Sequence, residues 1–91
     1  MTHSLKTHKL AFQAVWDGLK PFEYRKNDRD YKEGDDLILM EYDHESDTYS
    51  HRVIMTSVPF ILYGGQYGIS DGYCIMTLGN IIRFDPKEIL K

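Results

Sequence analysis

Apolar residues keep helical spacing only once in this chain. Phe12, Val15, Trp16 and Leu19 fall at i, i+3, i+4 and i+7, one face of a helix, and the spacing predicts a helix from about His8 to Asp17. Thr7 is the expected N-cap, Gly18 supplies the stop, and Pro21 forbids simple continuation. A short strand over His3 to Lys6 precedes it. From Pro21 onward the pattern is β. Phe22 to Lys26 reads as a strand, and Asn27-Asp28-Arg29-Asp30 as a turn. After the turn signal Glu33-Gly34-Asp35, the run Asp36 to Tyr42 has strand length. Tyr49 to Leu62 is rich in β-branched and aromatic residues. It is expected to pair with the preceding strand as a long hairpin, with Pro59 interrupting it or marking an edge. Tyr73 to Leu78 is the last clear strand and is expected to be central.

The sum is a mainly β (α+β) chain of about five strands with one N-terminal helix. Asp85-Pro86-Lys87-Glu88 resembles a second, short helix start, with Pro86 at its first position. A curved sheet closing towards a small barrel is the expected architecture. Gly64, Gly65, Gly68 and Gly72 place four of the seven glycines within nine residues, so that loop must bend sharply or let another group approach its backbone.

Ninety-one residues suit one domain, 1–91, with the tail 79–91 left open. No apolar run approaches the ~18–20 residues needed to span a bilayer, and the start lacks the apolar core of a secretion signal. The single cysteine, Cys74, lies in an apolar run and reads as a core residue. The cytoplasm is the expected compartment, with no membrane partner. Net charge is −3, from 11 Lys and Arg against 14 Asp and Glu, which argues against a long electrostatic footprint on duplex backbone. A pocket for one phosphate or one base is compatible with it.

Candidate chemistry concentrates at the junction Gly18-Leu19-Lys20-Pro21-Phe22-Glu23-Tyr24-Arg25, where a helix stops and a strand starts. Glu23 and Arg25 are two apart and share one strand face, while Phe22 and Tyr24 take the other. Lys20, Glu23 and Arg25 either form a polar pocket or an ion-paired rim worth little energetically. Arg25 would grip phosphate through its planar fork, Lys20 add a point charge, and Glu23 accept a base amino group.

The same eight residues match G-x-K-x-x-E-x-R, and the chain resembles the ASCH domains of the PUA-like superfamily. His3-x-Leu5-Lys6, Arg25 to Asp30, Gly34-Asp35, Leu39-x-Glu41-Tyr42 and Gly64-Gly65-Gln66-Tyr67-Gly68 extend the likeness, towards a small bacterial and phage ASCH-like family labelled RNA-binding. It covers about residues 3 to 78. The resemblance implies a small, PUA-like open β-barrel with a helix beside it, a cleft lined by the charged residues of the signature, and a ligand related to RNA. One relative is an amidohydrolase that removes acetyl groups from N4-acetylcytidine. Its catalytic lysine matches Lys20, whereas its threonine falls on Glu23 and its glutamate lies in a helical segment without a counterpart here. The leading expectation is therefore a binding domain for RNA or a modified nucleoside. The alternative is an amidohydrolase acting on an acylated nucleoside.

Four further residues are candidates for the same ligand. Arg29 contacts phosphate or, with equal weight, pairs with Asp30 while Asn27 and Asp28 cap their own turn. Gln66 reads a base edge or faces water, and Tyr67 offers a ring from the glycine loop. His3 is the histidine that would line the cleft. His3, His8, His44 and His51 lack paired metal spacing, so no metal and no cofactor are expected. No P-loop, dinucleotide fingerprint or serine-hydrolase elbow is present, and the residues name no catalytic group.

Overall fold

The computed structural model describes residues 1–89. Among them, seven strands and two helices follow one another as β1 (Thr2–His8), α1 (Lys9–Trp16), β2 (Phe22–Lys26), β3 (Asp36–Asp43), β4 (Thr48–Ser57), β5 (Ile61–Tyr63), β6 (Tyr73–Thr77), β7 (Ile82–Phe84) and α2 (Pro86–Ile89). They form two sheets, ordered β1-β3-β4-β7 and β2-β6-β5. β1 runs parallel to β3, and every other pairing among the described residues is antiparallel.

The two sheets share one core. Leu5, Leu37, Leu39 and Ile54 point inward from the larger sheet, and Ile61, Cys74 and Met76 from the smaller. Each buried leucine, isoleucine or methionine contributes roughly 1.5–3 kcal/mol by leaving water. Helix α1 adds Phe12 and Val15, both fully buried, and packs against β1 and β3. Period-2 alternation on β1 sends His3, Leu5 and Thr7 inward.

The mainly β class holds, but the sheets do not close into a single hydrogen-bonded barrel, and the described residues form seven strands rather than about five. The expected hairpin forms between β3 and β4, but β4 ends at Ser57 and the chain crosses at Pro59 to the other sheet, so the strand expected over 49–62 splits into β4 and β5. β6 is central in its sheet, as its apolar run implies. The N-cap of α1 is His8 rather than Thr7, because β1 continues to His8 and turns Thr7 into the interior. His8 Nδ1 accepts the Leu10 N–H at 3.1 Å. β7 lies in the tail and pairs with β4, Val53 opposite Phe84.

The glycine loop is tight for internal reasons. Gly64 N–H donates to the Tyr73 carbonyl at 2.8 Å, and Gly65 N–H to the Ile69 carbonyl at 2.9 Å. A Cβ at Gly64 would run into the carbonyls of Ser70 and Tyr73, so the group that approaches this backbone is the loop itself.

Candidate functional site

The site begins at the end of α1. Gly18 adopts φ 77°, a left-handed conformation that costs glycine little, and Leu19 and Lys20 N–H groups both return to the Ala14 carbonyl, at 2.9 and 3.1 Å. This wrap delivers Lys20 beside the first residue of β2. Alternation on β2 then turns Glu23 and Arg25 inward and leaves Phe22, Tyr24 and Lys26 outward.

Glu23 is the hub, only 3% exposed. Lys20 Nζ donates to its Oε1 at 3.0 Å, and Arg25 Nε donates to its Oε2 at 2.9 Å. Arg25 Nη2 reaches across to Thr7 Oγ1 on β1 at 2.9 Å, and Thr7 in turn donates to the Leu5 carbonyl at 3.1 Å. The expected convergence of Lys20, Glu23 and Arg25 is thus present, and a hydroxyl from the other sheet joins it. Because both Glu23 oxygens take charge-assisted bonds, the carboxylate fixes the two cations in place.

These groups border an open hollow of about 390 Å³, together with Lys6, His8, Ala11, Tyr24, Lys26 and His44. Four lysines and arginines face one carboxylate there, in a chain whose net charge is −3. Lys6 Nζ stands 4.2 Å from the centre of the Tyr42 ring, and the His8 and His44 rings lie 4.7 Å apart at the rim. Among the described residues, Lys6 and Lys26 have no carboxylate partner. Sequence reasoning does not single out Lys6, Thr7, His8 or His44 as ligand contacts. The available signal is β1 running without a break into α1, which sets consecutive residues at the mouth of one cleft.

The other candidates are placed elsewhere. His3 is buried near the start of β1, four residues from Thr7 and hence roughly 13 Å along the strand. Its Nε2 lies 2.8 Å from Asp35 Oδ2, and its ring meets Tyr31 edge-on at 4.8 Å. The hydrogen bond to His3, then the Lys32 N–H, hold the Asp35 carboxyl down at about 2. Gln66 and Tyr67 line a separate depression with Gly65, Gly68, Ile69 and Asp71. Arg29 Nη1 donates to the Ser4 carbonyl at 3.0 Å, Asn27 caps the turn by accepting the Tyr31 N–H, and Asp30 pairs with Lys32. Tyr31 is fully buried, and burial pushes its phenol up against the pull of Arg25 and Arg29. Among the described residues no three His, Cys, Asp or Glu side chains are grouped to hold a metal ion, and no helix is long and apolar enough to cross a membrane.

Residues 2–78 match the family described as "Domain of unknown function (DUF3850)". The chain belongs to the DUF3850 family. The match takes in β1 through β6 and all ten residues around the hollow, while β7 and α2 lie past its end. Over 40 residues the chain is 48% identical to the "Uncharacterized 12.9 kDa protein in GpA 3'region" of Escherichia phage P2. That stretch is 44% of this chain and 37% of the phage protein, so the chain spans well under half of that relative's length. Membership of DUF3850 assigns no chemistry, and function has to be read from the cleft.

Proposed function

We propose that this DUF3850 domain is an ASCH-type, PUA-like module that binds RNA or a modified nucleoside in the cleft between β1, α1 and β2. The observation that carries the reading is the local excess of cations in an acidic chain: Lys6, Lys20, Arg25 and Lys26 around the single carboxylate of Glu23. A hollow of about 390 Å³ falls within the roughly 300–1,000 Å³ of small-molecule sites and suits one nucleotide. Glu23 preorganises Lys20 and Arg25, so an incoming phosphate meets donors already in position. Lys6 and Lys26 add charge at the rim. The Arg25–Thr7 bond, which ties one sheet to the other, supports reading the two sheets as halves of an open barrel. A cytoplasmic setting, where RNA is at hand, accords with this reading.

Hydrolysis of an acylated nucleoside would need a nucleophile and a free base. The aliphatic hydroxyl at the hollow, Thr7, already donates to the Leu5 carbonyl, and Glu23 is occupied by two cations. Binding is therefore the better supported activity. Titration of single-stranded RNA and nucleosides into wild type and Lys20→Ala tests it: affinity should drop in the variant, and equal affinity would remove the cleft as the site. No turnover of N4-acetylcytidine is expected.

A further inference from the structure

The geometry points to a second part of this binding surface: the outer face of the β2-β6-β5 sheet is a base-stacking platform, and the ligand is a single-stranded nucleic acid rather than a free nucleoside. This inference rests on the cleft reading and extends it. Alternation turns Phe22, Tyr24 and Lys26 of β2 outward, and Tyr73 and Ile75 of β6 beside them. Pairing sets Tyr24 opposite Ile75 and Lys26 opposite Tyr73, so Tyr24 and Tyr73 are diagonal neighbours. Their rings are stacked, 5.4 Å between centres and 13° from parallel, yet they remain 47% and 37% exposed. Phe22 is 39% exposed on the same face.

Aromatics grouped on one water-facing sheet face form a contiguous patch of the kind that marks a contact surface, and charge decides its occupant. Tyr24 and Lys26 also border the cationic hollow, so platform and cleft meet along β2, an edge strand. Lys20 links them again: its Nζ bonds Glu23 in the cleft and stands 5.2 Å from the centre of the Phe22 ring on the platform. Rings flanked by lysines match the alternation of bases and phosphates in an unpaired strand. Such a strand stacks bases on aromatic faces while cations track its backbone. An apolar protein partner would leave Lys26 buried without a counter-charge.

The test is fluorescence anisotropy with a dye-labelled oligouridylate of about ten nucleotides, within the site sizes of single-strand binders, alongside uridine monophosphate as competitor. The oligomer should bind more tightly than the mononucleotide. Tyr24→Leu and Tyr73→Leu keep apolar bulk but remove the ring, and each should weaken oligomer binding about 5- to 150-fold. Tyr73→Phe, which keeps the ring at a position outside the hollow, should bind as wild type, and Tyr73→Leu should leave mononucleotide affinity unchanged. Thermal melts of each variant check folding. If the leucine variants bind the oligomer as wild type does while Lys20→Ala loses binding, the platform is overturned and the cleft stands. If Lys20→Ala also binds normally, both fall.

Discussion

Two arginine–carboxylate clusters in this molecule use the same chemistry to different ends. On the seam between α1 and the larger sheet, Arg52 donates to Glu41 through Nε at 2.9 Å and Nη2 at 2.8 Å. It also donates to Gln13 Oε1 at 2.7 Å and lies 4.5 Å from the Trp16 ring centre. Hydrogen bonds from Arg52 hold the Glu41 carboxyl below the usual range. One cation meets one anion, and helix is fastened to sheet. In the cleft, two cations share Glu23 and two further lysines stand at a hollow. An ion pair whose charges balance holds structure; one with surplus positive charge is available to a ligand.

Removing each hub in turn tests that distinction. Glu23→Ala leaves Lys20 and Arg25 without their buried partner and should cost about 3 kcal/mol of stability, read from urea unfolding. Arg52→Ala should cost about 2 kcal/mol through lost charge-assisted bonds while leaving RNA affinity unchanged. Loss of RNA binding in that variant would show that the two clusters are not separate in role.

A third carboxylate, Asp35, serves as a control, since it is buried and faces no described hollow. Asp35→Asn should cost about 1 kcal/mol at neutral pH. The folded carboxyl titrates at about 2, below the ~3.9 of an unfolded chain. Its contribution is therefore fully present above the unfolded value and lost as pH falls through the folded one. Urea melts between these values should show wild type losing stability that the variant never had.

Lys6→Ala is the mildest change. Stability should move by less than about 0.5 kcal/mol. The slope of log affinity for single-stranded RNA against log salt should shrink by about 0.7, one phosphate contact's worth.

Much of this was legible because local signals agreed. Phe22–Lys26 emerges as read, since alternation and Pro21 both mark it. Lys20, Glu23 and Arg25 converge because a left-handed glycine and a two-residue period leave them little choice. β7 was missed: Ile82, Arg83 and Phe84 are all exposed, so the strand has no burial pattern and exists through backbone pairing with β4. The placements of His3 and Gln66 depend on contacts with Asp35 and on loop path, which are long-range or backbone properties that residue identity does not display. Arg29 turned on the same difficulty, its partner being a carbonyl 25 positions away.

The parallel pairing of β1 with β3 has a consequence for assembly. The hairpin of β3 and β4 closes over a short turn, but β1 must wait for a partner more than thirty positions downstream, and β2 for β6, further still. One wall of the cleft comes from each of these late arrivals. A nascent chain therefore completes this cleft only once β6 has left the ribosome, and any partial opening that frees the first strand dismantles it before the hairpin is lost.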